Sequence, residues 1–204
     1  MDNLPRRYGL ALHTSSGQLG LAISDFQGDA RSRTWNLQKE LSNYLHEYLS
    51  GFLSPQSWPD IDFLTVAVGP GSFTSIRLGV VTARILAQQL NIPLFGISTL
   101  AAFAKSLSGG ESQYIALQMP ATRGKLSVGI YFMNTQKIEP YLSDKIMTVE
   151  DWQEYLESLS INFTLLKTPE LLGINAPDLL SLAYEQKQQG KTSHWQEILP
   201  FYGI

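Results

Sequence analysis

Hydrophobic positions along this chain alternate between two spacings, and each change of spacing marks an element. Short apolar runs at 8–14 and 19–24 flank the polar turn Ser15-Ser16-Gly17-Gln18, and a third extended run near Arg31–Trp35 follows Gln27-Gly28-Asp29. This is the punctuation of three strands joined by tight turns. The spacing then lengthens: Leu37, Leu41, Tyr44, Leu45, Tyr48, Leu49 and Phe52 recur at three and four residues, which predicts a helix over 37–52. Ser54-Pro55 and Trp58-Pro59 end it. A buried strand at Phe63–Val68, a helix over 72–90, a short strand at Leu94–Ile97 and a helix capped by Ser98 or Thr99 follow.

Ser108-Gly109-Gly110-Glu111-Ser112 is a polar joint, and beyond it the order recurs. Residues 114–119 and 126–132 form a hairpin around Ala121–Lys125, and a third strand lies near Lys137–Leu142. Thr148 caps a helix with Asp151 three residues on. A strand at Ile161–Leu166 and a helix over Ala176–Gln188, closed by Gly190, complete the pattern. Both halves open strand-strand-strand-helix-strand-helix. That order predicts an α/β chain of two similar halves, each a mixed sheet with helices, the pattern of the actin-like, ribonuclease-H-like architecture. The halves fall at 1–108 and 109–204, with the C-terminal tail able to pack back on the first. A plain α+β domain is the alternative.

Composition narrows the functional classes. A net charge of −3 over 204 residues argues against a free-standing nucleic-acid binder, which needs a basic face. With no cysteine, disulfides, thiolate nucleophiles and Cys-ligated zinc are excluded. The three histidines, His13, His46 and His194, show no paired spacing for a metal, and Asp2 and the other carboxylates show no convergent pattern. Arg6-Arg7 precedes too few apolar residues for a signal peptide, and no apolar run approaches the ~20 residues of a membrane span. The expected location is the cytoplasm, with no membrane contact.

The stretch Phe63–Arg84 carries the most chemistry. Its strand ends in Gly69-Pro70-Gly71-Ser72 and a helix starts at once. Such a turn can cradle a phosphate on free amides, with Gly69, Gly71, Ser72 and Arg77 as its loop. It can equally be a compact strand-to-helix turn in which Ser72 caps the helix. It has neither the Lys-Ser/Thr pair of a P-loop nor the flanking glycines of a nucleophile elbow. Gly79 sits inside the helix, where it costs ~1 kcal/mol relative to Ala, so a second backbone is expected to approach it. Ile76, Val80, Ala83 and Ala87 form one apolar stripe, and Leu78, Val81 and Ile85 lie on the far side. A helix apolar all round is covered on two sides. A partner interface is expected over Leu41, Leu45, Tyr48, Ser75, Ile76, Gly79, Val80, Ala83 and Ala87. On that expectation, a large charged residue at Gly79 or Ala83 abolishes a complex and leaves the monomer folded.

Gly69-Pro-Gly-Ser-Phe-Thr-Ser-Ile-Arg-Leu-Gly79 closely resembles the Gly-Pro-Gly-Ser-Phe-Thr-Gly-x-Arg-Ile-Gly signature of the bacterial TsaB (YeaZ-type, inactive glycoprotease-like) family. Ile97–Ala102, Arg123-Gly124 and Leu199-Pro-Phe-Tyr202 support the resemblance, which covers nearly the whole chain. It implies a non-catalytic subunit in making threonylcarbamoyladenosine, the modified base beside the anticodon of certain tRNAs. A TsaD-type subunit performs the transfer, a TsaE-type ATPase assists, and a TsaC-type enzyme makes the donor. The TsaB-like subunit pairs with the TsaD-like one through two N-terminal helices. The resemblance further implies no intrinsic cofactor, ATP or ADP at the partner junction, tRNA contact only within the complex, and a homodimer when alone.

Three positions depart from the family pattern. His13-Thr14-Ser15 stands where the family has Asp-Thr-Ser, and a neutral imidazole is a poor ligand for Mg²⁺. The helix from Leu37 lacks the usual His-Ser-Glu, and Pro120-Ala-Thr-Arg123 replaces Asp-Ala-Arg-Arg. All three weaken an ATPase role. The rival readings are an actin-like ATPase or small-molecule kinase, a peptidase, and an unrelated interaction module.

Overall fold

The computed structural model describes residues 7–135 and 137–203; Asp2 and Arg6 lie outside them. The first sheet holds β1 (Tyr8–His13), β2 (Gln18–Ser24), β3 (Ala30–Asn36), β4 (Ile61–Gly69) and β5 (Leu94–Ser98), in the order β3-β2-β1-β4-β5. The short polar turns after β1 and β2 make those neighbours antiparallel, whereas β4 and β5 follow helices and run parallel to β1. β1 is central and buried at every residue, as a strand covered on both faces must be.

Side chains alternate between the two faces. Leu10, Leu12, Leu21, Ile23, Leu64 and Val66 meet α1 (Leu41–Leu53) and α2 (Phe73–Leu90). Ala11, Ala22, Phe63, Ala67, Phe95 and Ile97 face the opposite way, toward α3 (Thr99–Ser106) and the last helix, α5 (Ala176–Gln188).

The second sheet holds β6 (Gln113–Pro120), β7 (Leu126–Met133), β8 (Ile138–Met147) and β9 (Phe163–Lys167), ordered β8-β7-β6-β9. Trp152 of α4 (Val149–Glu157) is buried on one face against Ala116, Val128 and Ile130, and its Nε1 donates to Gln118 Oε1 at 2.9 Å. Leu100 and Ala104 of α3 pack on the other face with Ile115, Leu117 and Tyr131. α3 therefore lies between the two sheets. The paired mixed sheets expected from the element order are present, in an α/β arrangement.

Residues 172–203 return to the first half. The Leu172 N–H donates to Ser16 Oγ at 3.2 Å, α5 packs under β1, and the Phe201 N–H donates to the Val68 carbonyl at 2.7 Å. Two elements differ from expectation. The helix expected from 37 opens as a 3₁₀ turn (Gln38–Glu40), with Gln38 at φ +50°, and becomes α-helical only at Leu41. β8 runs on to Met147 because register shifts opposite Val128–Tyr131 break its alternation. Among the described residues no helix is long and apolar enough to cross a membrane.

Candidate functional site

β4 delivers the chain to Gly69, and the turn into α2 is shaped by what lies beneath it. Gly69 and Gly71 adopt φ +111° and +149°, values that side chains disfavour. A Cβ on Gly71 would run into the Ser15 carbonyl oxygen, and the Ser72 N–H donates to that oxygen at 2.7 Å. The turn is thus pressed onto the turn that follows β1. Ser72 occupies the N-cap position, but its hydroxyl pairs with Ser75 Oγ at 2.9 Å and accepts from no helix N–H. The expected serine cap is therefore not made. The Ser72 amide, one of those expected to face an anion, is already committed to Ser15.

Beside the turn opens a cavity of about 490 Å³, lined by Gly17, Gln38, Lys39, Leu41, Ser42, Ser72, Thr74, Ser75 and Leu78. Four hydroxyl-bearing residues and one lysine are among its lining. Lys39 supplies the cation that the glycine turn itself lacks, and nothing in the spacing of the turn could have indicated it. Gly69 lies away from this cavity, buried against Ile76 and Phe201. Arg77 does not line it either: its guanidinium is exposed, 5.2 Å from the Phe73 ring centroid.

The expected interface needs correction. Leu41, Leu45, Ile76, Gly79, Val80, Ala83 and Ala87 are all buried within the chain's own core, and Tyr48 and Ser75 are half-buried. These buried residues line the sides of α1 and α2 that face the sheet. Gly79 has an internal reason as well. A Cβ there would overlap Thr14 Oγ1, so the backbone approach it permits is that of α2 to the end of β1.

The opposite side of α2 is open. Phe73, Val81 and Ile85 are 51%, 52% and 54% exposed, at four-residue steps that place them with Leu78 on one face. Tyr44 of α1 is 41% exposed and lies tilted against Tyr48, with ring centroids 6.0 Å apart, and Tyr202 of the tail meets Phe73 at 5.6 Å. Large apolar side chains grouped on one surface are the usual mark of an association site.

His13 lies at the end of β1 and is fully buried. Loss of solvation pulls its pKa down to about 3, so the imidazole is neutral at physiological pH. Its Nδ1 is 3.5 Å from Ser15 Oγ, and Nε2 has no hydrogen-bond partner among the described residues. No group of three or more histidines and carboxylates able to hold a metal occurs among the described residues.

Residues 53–178, more than half of the chain, match the family TsaD: tRNA N6-adenosine threonylcarbamoyltransferase. The chain belongs to this family. Its curated relatives are of the TsaB (YeaZ) type. A tRNA threonylcarbamoyladenosine biosynthesis protein TsaB from Bacillus subtilis is 31% identical over 156 residues, covering 72% of this chain and 65% of that protein. The chain thus spans just under two thirds of that relative. The protein of the same name from Escherichia coli is 27% identical over 174 residues, 73% of each chain. Among solved structures, a Pseudomonas aeruginosa protein with similarity to peptidase YeaZ superposes with TM-score 0.80 at 22% identity, over 97% of this chain and all of that one. YeaZ from the same organism gives 0.78 at 22% identity, over 96% and 100%. These two likenesses establish the shared fold.

Proposed function

We propose that this chain is a non-catalytic partner subunit of a TsaD-type transferase in tRNA N6-threonylcarbamoyladenosine modification. The observation that carries the reading is the uncovered apolar face of α2, with Phe73, Val81 and Ile85 each about half exposed. The names of the TsaB relatives, which place those proteins in threonylcarbamoyladenosine biosynthesis, support the same reading. The role of the chain is then to offer a preformed surface that completes a heterodimer. In the absence of that partner, the same face pairs two copies of the chain. A TsaE-type ATPase and the tRNA join only the assembled complex, in the cytoplasm.

The cavity of Lys39, Ser42, Ser72, Thr74 and Ser75 opens beside this face. One ammonium and several hydroxyls suit the phosphates of ATP or ADP, and a partner laid across α1 and α2 would close the cavity over them. Among the described residues no carboxylate lines it.

The test is co-expression with the TsaD-type protein of the same organism, followed by pull-down. Val81→Glu and Ile85→Glu should weaken capture at least tenfold while the monomer keeps its thermal transition. Capture at unchanged affinity moves the interface elsewhere. Magnesium-dependent ATP turnover by the isolated chain would overturn the non-catalytic assignment in favour of an ATPase.

A further inference from the structure

A second cavity, of about 410 Å³, opens between the two sheets. The carboxyl ends of β4 and β5 form one wall through Val68, Gly69, Gly96 and Ile97; β7 and β8 form the other through Tyr131 and Asp144. This is the crevice at strand ends where α/β proteins place ligands. Its lining is largely apolar, with one strong exception.

That exception is Asp144. Its two carboxylate oxygens accept from the Tyr131 and Ser98 hydroxyls. Ser98 Oγ in turn accepts from the Ala101 N–H at 3.0 Å, which leaves the Ser98 proton to Asp144. Gly129 lies so close that its added Cβ would sit 2.8 Å from Asp144 Oδ1. The carboxylate is therefore fixed in place, but every one of its partners is neutral. No lysine, arginine or histidine lines the cavity among the described residues, and Asp144 takes part in none of the ion pairs found among them. Burial accordingly drives its pKa up to about 6. A rigid, desolvated anion without a counter-charge, facing an open apolar cavity, is a site for a cation.

We propose that this cavity binds an organic ammonium carried on an apolar stem, with Asp144 as its counter-ion. A divalent metal fits poorly, since one carboxylate falls far short of the oxygens such ions require. Phosphate is repelled by the same charge. An ammonium gains the ion pair, two or three hydrogen bonds and contact of its stem with Val68, Ile97 and Ile138. The group can come from a free amine or from a lysine side chain of a bound protein, and the test separates the two.

The full chain is titrated with 2-phenylethylamine and with 2-phenylethanol, its uncharged isostere, while amide resonances of Ser98, Ala101, Asp144 and Gln186 are followed. At pH 7.5 the amine should bind at least tenfold more tightly than the alcohol, and Asp144→Asn should erase that preference. Lowering the pH to 5.0 should weaken amine binding about tenfold, because Asp144 takes up a proton while Tyr131, the other titratable group of the lining, is neutral throughout. Nα-acetyl-lysine-methylamide then identifies the source. If it binds more tightly than the free amine, a partner's lysine is the occupant; the reverse order assigns a small molecule. Equal binding of amine and alcohol, or an amine preference that survives Asp144→Asn, overturns the proposal. Should that variant fail to fold, pH-independent amine binding by the unmodified chain overturns it alone.

Discussion

Gly79 and Thr14 meet where α2 crosses the end of β1, and the contact can be measured directly. Gly79→Ala gains ~1 kcal/mol of helix propensity. It also drives a methyl into Thr14 Oγ1, which is anchored by backbone and cannot swing away cheaply; such overpacking costs about 1–3 kcal/mol. A net loss is expected in denaturant titration. Thr14→Ala should be mild, because Oγ1 is buried without a hydrogen-bond partner among the described residues. The double variant should recover about 1 kcal/mol or more of the Gly79→Ala loss, and strict additivity would refute the contact. Two buried titratable groups make a second prediction. His13 has a folded pKa of about 3 against 6.5 unfolded. The unfolded chain therefore takes up a proton that the fold refuses, and stability falls as pH drops below 6.5, by ~1.4 kcal/mol per unit. Asp144 runs the other way. Its folded pKa of about 6 lies above the ordinary 3.8, so its contribution grows as pH falls from 6 to about 4. The two slopes oppose each other across that window. Relative to the unmodified chain, the stability profile should tilt upward toward acid in His13→Gln and downward in Asp144→Asn. Parallel profiles for all three would contradict both assignments.

The two faces of α2 separate folding from association. Ala83 is fully buried, and Ala83→Glu places a charge in the core without a partner. It should unfold the chain, whereas Val81→Glu, on the open face, should shift stability by no more than ~0.5 kcal/mol and remove any self-association seen by light scattering. This pair of outcomes reverses the simplest reading of the sequence, and the reason is physical. Helical spacing marks Ile76, Val80, Ala83 and Ala87 as one stripe and Leu78, Val81 and Ile85 as another, but periodicity alone does not say which stripe the sheet covers. The small residues lie where α2 comes closest to β4 and β1, and the large ones remain outside. The order of elements along the chain, the Thr148 cap, whose Oγ1 accepts from the Asp151 N–H at 3.0 Å, and the bounds of α5 were legible because each depends on local chemistry. The Asp144 cluster was not. Its partners lie 13 and 46 residues away, on a strand whose bulge erases the alternation that would have marked its inward positions.

Across the whole molecule, the C-terminal tail adds a tie between two halves already joined through α3 and α5. Phe201 bonds to Val68 at the end of β4, Tyr202 covers Phe73 at the start of α2, and Gly203 lies against Ile146 of β8. The tail thereby flanks both candidate sites: Phe201 lines the crevice that holds Asp144, and Tyr202 borders the apolar face. Removing residues 200–204 deletes one backbone hydrogen bond and a surface aromatic contact, a loss of about 1–3 kcal/mol. The loss should be local. Hydrogen exchange should accelerate at the carboxyl ends of β4 and β5 and along β8, while β1 and β2, sealed beneath α1 and α5, keep their protection. The truncated chain should also bind 2-phenylethylamine more weakly, because one wall of the cavity is gone. Uniform loss of protection across both sheets would show that the tail stabilises the fold as a whole. Unchanged exchange at β8 would show that α3 and α5 hold the halves without the tail.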